Sequence, residues 1–230
     1  MKNPIIKFSN VSKSFGKKVV LNNINLTIYE GEIFAIIGRS GSGKSTLMKI
    51  LLGVYKPEKG NVIFNKKDIT RNSEVLRKVV GLTTQENSFY DKLTVYENMV
   101  YYANLYNVKP DILSILKSVE LEKELNTMAD KLSGGMKKRL DFAISMVHNP
   151  KIMILDEPTT GLDPILVKQF WRLVKRVSKV GKTIVIISHI FQDLQENCDR
   201  VCILHKGAIK KIVNINSKTD LFHEFSGAVK

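Results

Sequence analysis

The sequence holds only two cysteines, Cys198 and Cys202, with no second Cys or His pair at metal-ligand spacing, which argues against a zinc site or a disulfide framework. No apolar run comes near the roughly 18–20 residues that cross a bilayer. The longest, IFAII (Ile33–Ile37) and TIVII (Thr183–Ile187), suit buried strands. The opening MKNPIIKFSN has no apolar stretch of signal-peptide length, so the expected location is the cytoplasm. There is no Pro-, Ser- or Gln-rich tract and no internal repeat, and the whole chain is expected to fold. Arginine is scarce as well. Of the 36 cationic residues only 7 are arginine, whereas surfaces that read nucleic-acid sequence lean on arginine's planar fork. Nucleic acid is therefore the less favoured partner.

What the chain does have is lysine, and a formal net charge of +14. That balance suits nucleotide phosphates, anionic headgroups or nucleic acid, and its plainest account is a solvated lysine-rich surface. A length of 230 residues is enough for one core and one catalytic unit.

Along the chain, short alternating runs at residues 5–8, 23–28 and 61–64, punctuated by Gly16, Gly31 and Gly60, predict a small antiparallel sheet. Within it, EIFAII (residues 32–37) leads through a glycine-rich turn into the helical run STLMKILLG. Residues 90–149 read as an inserted helical subdomain, divided near Pro110 and residues 133–135. Three apolar strands follow, at residues 152–155, 183–187 and 201–204, alternating with helices near 165–180 and 190–197. That alternation predicts a parallel sheet with ligands at the carboxyl ends of its strands. The reading is one α/β domain over 1–230. Residues 1–89 and 150–205 form the β-subdomain and P-loop core, 90–149 the helical insert and 206–230 a C-terminal tail.

Residues 38–45, GRSGSGKS, fit G-x-x-x-x-G-K-[ST] between a strand and a helix, the context this phosphate-binding loop requires. Gly41 and Gly43 allow backbone N–H groups to close on phosphates, Lys44 adds positive charge, and Ser45 can ligate magnesium. Gly38, Arg39, Ser40, Ser42 and Thr46 complete the candidate nucleotide contacts. In IMILDEP, residues 152–158, an apolar strand ends on two adjacent carboxylates, whose side chains point differently on extended backbone. Asp156 is the candidate for the magnesium shell and Glu157 for the general base. A third element is LSGGM. Ser133 is a natural N-cap, Gly134 and Gly135 follow, and Leu140, Ala143, Ile144 and Val147 keep helical spacing. A helix start of this kind offers a second anion site, although taken alone such a string is most often a simple cap.

In these motifs and their order the chain resembles the ATP-binding subunits of ABC transporters over nearly its whole length. The resemblance implies a P-loop NTPase fold, ATP and magnesium ions as ligands, and two chains sandwiching two ATP molecules, each between one chain's phosphate loop and the other's LSGG helix. It also implies roles for residues that are unremarkable singly. Phe15 in VSKSFG resembles the aromatic that stacks on adenine, with phenylalanine where tyrosine is usual. Gln85 in TTQEN resembles the glutamine that touches magnesium and the attacking water. Asp163 in GLDP resembles a dimer-contacting aspartate, and His189 after TIVIIS the switch histidine at the γ-phosphate. Met136 stands where glutamine is common and resembles the export-type branch. Only 25 residues follow His205, fewer than the long extensions of sugar-importer ATPases.

The function so implied is Mg-dependent ATP hydrolysis, with Glu157, His189, Gln85 and Lys44 as the catalytic set and Ser45, Gln85 and Asp156 around the metal. It would drive transport, in the export direction, through separate transmembrane permease subunits at the cytoplasmic face of the membrane, as a homodimer or paired with a related ATPase. The alternative is a soluble ABC ATPase acting on a protein assembly or on nucleic acid. Residues 89–106 carry 6 of the chain's 18 aromatic residues and are expected to line the membrane partner's groove, with Phe89 and Tyr90 as anchors.

Overall fold

The computed structural model describes residues 3–71 and 74–229. Two 12-residue strands, β1 (Pro4–Phe15) and β2 (Lys18–Tyr29), form a long hairpin closed at Gly16, where φ is +58°. With β4 (Lys59–Phe64) and β5 (Lys67–Asp68) they build a four-stranded antiparallel sheet in the order β2-β1-β4-β5. Alternation sets its buried face: Ile6, Phe8, Leu26 and Ile28 point inward while Lys7 and Thr27 do not.

The second sheet has six strands in the order β10-β9-β3-β8-β7-β6. These are β3 (Ile33–Ile37), β6 (Val80–Thr83), β7 (Ile152–Asp156), β8 (Thr183–Ile187), β9 (Arg200–His205) and β10 (Ala208–Asn214). All pair in parallel except the hairpin partner β10. The continuous apolar runs seen in the sequence arise because both faces are covered. Ile33, Ala35, Met153, Leu155, Ile184 and Ile186 face a core shared with the helices. Phe34, Ile36, Ile152, Ile154, Val185 and Ile187 face a core shared with the antiparallel sheet and with α1 (Lys44–Leu51). Cys202 lies in one core and Cys198 in the other, and burial pushes both thiols up, Cys202 to about 12.

Between β6 and β7 run α3 (Val95–Leu105), α4 (Ile112–Ser118) and α5 (Gly134–Met146). Thr94 and Glu97 form a reciprocal capping box at the start of α3. A short helix α2 (Glu74–Val79) precedes β6. After β7 come α6 (Pro164–Lys179) and α7 (Phe191–Asn197).

Two parts of the sequence reading need correction. Residues 206–230 do not form a mere tail: β10 extends the sheet, and α8 (Leu221–Ala228) sends Leu221 into the core, where Val213 and Val229 also lie. The strand β6 was not expected at all. It is four residues long and interrupted by Gly81, where a Cβ would stand 2.1 Å from the Ser145 carbonyl oxygen. Close approach to α5, not strand propensity, selects that residue.

The two sheets are tied by a buried ion pair. Glu32, 1% exposed, lies 3.1 Å from the Arg200 guanidinium and accepts the Tyr29 N–H at 2.8 Å. Arg200 packs its guanidinium 4.9 Å from the Tyr29 ring centre and 5.3 Å from that of Phe34. Removing the arginine deprives the buried Glu32 carboxylate of its charged partner on β9, so Arg200→Ala is expected to destabilise the fold by about 1.5–3 kcal/mol in urea unfolding. A loss below about 1 kcal/mol would place this pair with ordinary surface bridges.

Candidate functional site

The parallel strands deliver the site. The loop after β3, the acids at the end of β7, His189 after β8 and Gln85 after β6 all emerge at the carboxyl edge of one sheet.

Helix α1 starts without a side-chain cap or an acidic residue in its first turn, and its N-cap is Gly43 at φ +107°. The first N–H groups of a helix have no partners within it, so this end suits an anion. The loop is folded against its neighbours without room for side chains. A Cβ on Gly43 would lie 2.7 Å from Leu21 Cδ2 and 3.0 Å from the Val20 carbonyl oxygen, and one on Gly38 would lie 2.3 Å from the Leu204 carbonyl oxygen. Gly41 also has positive φ, at +74°. Lys44 Nζ donates to the carbonyl oxygens of Gly38 at 2.8 Å and Arg39 at 3.2 Å. Burial lowers its pKa, and the charges of Glu157 and Asp156 pull the other way. A cleft of about 480 Å³ runs over Ser40, Gly41, Ser42, Gly43, Lys44, Ser45 and Thr46, with Lys18, Val19, Val20, Lys206 and Gly207 as its far wall. The Ser42 hydroxyl is buried with no hydrogen-bond partner.

Phe15, which taken alone suggests a core ring, is 45% exposed. It stands at the end of the hairpin opposite Lys18, beside the cleft, and edge-on to Tyr55 at 5.3 Å between centres. Tyr55 is a neighbour that sequence reasoning did not single out.

On the other side, burial raises the Asp156 pKa, the adjacent Glu157 charge raises it further, and Lys44 opposes both. A cation at Asp156 and Ser45 would relieve this. Among the described residues no cluster of three or more His, Cys, Asp or Glu could hold a metal alone. An ion here would take its remaining ligands from nucleotide and water, the usual habit of magnesium. Glu157 adopts φ +50°, a left-handed conformation costly for a residue with a Cβ, and its N–H bonds the Ile187 carbonyl at 2.8 Å. Its Oε1 lies 2.8 Å from His189 Nδ1 and its Oε2 accepts the Thr160 hydroxyl at 3.2 Å. Glu157 and His189 are thus brought together across β7 and β8, while Gln85 stands on the exposed loop beside them, its carbonyl bonded by Lys138 Nζ at 3.1 Å.

Ser133 caps α5, accepting the Met136 N–H at 3.3 Å, and Gly135 packs on Leu166, which a Cβ would approach to 2.9 Å. Asp163 caps α6, its Oδ1 accepting from Ile165 N at 2.9 Å and Leu166 N at 3.0 Å. These partners lie in the helical layer, and none belongs to the phosphate loop of the same chain. Phe89 corrects an expectation: at 7% exposure it is a core ring, whereas Tyr90, Tyr96, Tyr101 and Tyr106 are exposed.

The sequence profile of the ABC transporter family matches residues 21–160. The chain belongs to the ABC transporter family. It is 37% identical over 206 residues to the lantibiotic transport ATP-binding protein SrtF of Streptococcus pyogenes, spanning 89% of each chain. To the Nod factor export ATP-binding protein I of Rhizobium sp. (strain N33) it is 34% identical over 207 residues, 88% of this chain and 68% of that relative. Among solved structures it resembles cbiO1 from Clostridium perfringens, part of the ABC transporter complex cbiONQ, at a TM-score of 0.85 and 31% identity over 93% of this chain and 89% of that one. The dimeric ATP-binding cassette MJ0796 bound to ADP and Pi matches at a TM-score of 0.78 and 29% identity, over 92% and 99% of the two chains. This ABC transporter subunit therefore binds and hydrolyses ATP.

The glycine cradle of the ABC subunit gives a direct test. Gly43→Ala adds a methyl where both φ and space forbid it, and about 1–3 kcal/mol of strain should appear as weaker nucleotide binding in a fluorescent-ATP titration. Gly181→Ala, at φ +91° with nothing within 4 Å, is the control: strained, but away from the cleft and with unchanged affinity.

Proposed function

We propose that the subunit hydrolyses ATP at sites shared between two copies of this chain, or between it and a related ATPase, and that it drives export through separate membrane-spanning permeases. The observation that carries the chemistry is the 2.8 Å Glu157–His189 contact on adjacent strands, with Lys44 close enough for its charge to be felt by Asp156. Glu157 accepts a proton from water as the water oxygen bonds the γ-phosphorus. The bond to the β–γ bridging oxygen breaks, leaving ADP and phosphate. His189 holds the carboxylate in place, and Lys44 with the N-terminus of α1 faces the phosphate oxygens. Magnesium held by Ser45 and Asp156, with Gln85 beside it, would neutralise charge on those oxygens. Phe15 offers a face to the adenine.

Sharing between two chains is supported by the capped start of α5, a second anion site with no role toward its own phosphate loop, and by the dimeric relative with ADP and phosphate. In that arrangement Ser133, Gly134, Gly135 and Asp163 would face the partner's nucleotide. Relatives named for Nod factor export and lantibiotic transport support the export reading. So does Met136. No helix among the described residues is long and apolar enough to cross a membrane, which suits a peripheral place at the cytoplasmic face.

Glu157→Gln is expected to bind ATP, turn over barely at all and accumulate as a dimer in size-exclusion chromatography, whereas Lys44→Ala loses phosphate affinity. Parental turnover by the glutamine variant would remove Glu157 as base. For the permease, the exposed rings Tyr90 and Tyr101, 4.8 Å apart with their hydroxyls at 3.0 Å, take the anchoring place first expected of Phe89. Their double truncation to alanine should weaken co-purification with the membrane subunit by roughly 1–4 kcal/mol per ring and leave ATP affinity intact. Normal assembly by that variant would move the docking surface elsewhere.

A further inference from the structure

Asp141 is a carboxylate in a place where none is needed for packing. It sits in the middle of α5 with 1% exposure; its Oδ1 accepts the Ser88 N–H at 2.7 Å, and its Oδ2 is buried with no hydrogen-bond partner. A buried acid held by a single backbone donor costs free energy, and an apolar residue would serve the helix better. Its one partner is informative: Ser88 lies three residues after Gln85, on the same loop.

Lys138, on the same helix, holds the other end of that segment through the Gln85 carbonyl at 3.1 Å. Lys138 and Asp141 are i and i+3, so they share one face of α5, and Gly134 at the helix start falls on it too. From α3, the Tyr102 hydroxyl donates to the Ser88 carbonyl oxygen, and Asn98, fully buried, bonds both the N–H and the carbonyl of Tyr90. Residues 85–90 are therefore fastened at four points by side chains of the helical layer, two of them charged and both on α5.

We propose that Asp141 is a positioning residue for hydrolysis: with Lys138 it fixes the 85–88 segment to α5, so that the helix beginning at Ser133 sets where Gln85 stands. The inference rests on the proposed place of Gln85 in the hydrolysis site. One rigid helix then joins the anion site at its own start to the loop that serves the other site. A shift of α5 on binding the partner's nucleotide is passed to Gln85 through two charge-assisted bonds.

The tether has a pH signature. Burial pushes the Asp141 carboxyl up to about 6, against the Ser88 N–H and the nearby Lys138 ammonium, which both lower it. The titratable groups facing it are Lys138 on α5 and Tyr102 on α3, whose own pKa is raised by burial first and by the tyrosines and Asp141 after that. Above about 6 the carboxylate is a charged acceptor for Ser88; below it the neutral acid is a weaker one. Stability runs the opposite way. An acid whose pKa is raised on folding stabilises the native state as pH falls from about 6 toward the unfolded value near 4, so acid tightens the fold while loosening the loop.

The test uses the full chain with ATP and magnesium. Asp141→Ala should speed amide hydrogen exchange in residues 84–90, lower kcat roughly tenfold with little change in KM, and raise rather than lower thermal stability at pH 7.5, since a buried charge is removed. Asp141→Asn, a neutral acceptor like the protonated acid, should give loop protection and kcat between those of the parent and the alanine variant and lose the inflection near pH 6 in kcat. Unchanged exchange in the loop of the alanine variant overturns the tether itself. A loosened loop with parental kcat, or an asparagine variant with the parental pH inflection, overturns its link to hydrolysis. Gln85→Ala is measured beside them: a parental rate there would sink the reading of Gln85, and with it the coupling, whereas a slowed Gln85→Ala with a fully active Asp141→Ala sinks this inference alone.

Discussion

The start of α1 is the constraint around which the rest of the molecule is arranged. A helix begun by glycine, with no side-chain oxygen and no acid in its first turn, leaves its N–H groups and dipole to whatever occupies the cleft. That end can be kept bare only if the backbone behind it cannot collapse onto it. The neighbours see to this: β2 and β9 press on Gly43 and Gly38 so closely that no Cβ fits, and the Gly207 N–H bonds the Ser42 carbonyl at 3.0 Å from the β9–β10 turn. The antiparallel sheet is therefore part of the phosphate site and not an appendage to it. The Glu32–Arg200 pair, which joins the end of β2 to the start of β9, maintains the same relation from the far end of both strands.

Electrostatics at the carboxyl edge follow from that bare helix start. Lys44 is partly desolvated and depends on acids for company; Asp156 is partly desolvated beside another acid and depends on Lys44. Neither group is comfortable, and a cation together with a polyphosphate satisfies both at once. Glu157 is held differently. Its positive φ turns the chain away from the strand direction directly after Asp156, and its carboxylate meets His189 while its charge, with that of Asp156, also reaches Lys44. The left-handed turn at that one residue gives the two adjacent acids different surroundings, as the roles proposed for them require.

Much of this was legible in the sequence because the residues that carry it are constrained by local rules. The phosphate loop needs glycines at fixed offsets between a strand and a helix, and the paired strands of a doubly covered sheet are apolar over four or five consecutive residues. What escaped was set by contacts between distant segments. β6 is a strand because Gly81 lets α5 approach, and nothing within four residues announces that. Phe89 and Tyr90 are indistinguishable as aromatic neighbours, yet one is buried and the other exposed. Residues 206–230 have an ordinary share of apolar positions, but Val213, Leu221 and Val229 find the core only once β9 supplies an edge for β10. Nothing in the sequence singles out Asp141, and only the fold shows it beneath the Gln85 loop.

The helical layer, finally, explains why the signature segment lies where it does in the chain. Between Ser133 and the end of β7 there is a single helix, α5, and it packs on α6 through Gly135 and Leu166, so the caps at Ser133 and Asp163 are held as one surface. Of that surface, Ser133 lies on α5, joined to the sheet by the loop from β6 and the return into β7, and Asp163 on α6, between β7 and β8. α5 also meets the sheet at Gly81 of β6 and lies beneath the 85–90 loop. Its contact with the core at the 85–90 loop is made by charged and polar side chains, whereas the face of α5 carrying Leu140, Ala143 and Ile144 is apolar and buried. Polar contacts of this kind shift with protonation and with a nearby phosphate, and apolar ones do not. The contacts of α5 to the loop that leads from Gln85 to the exposed Tyr90 are thus of the adjustable kind.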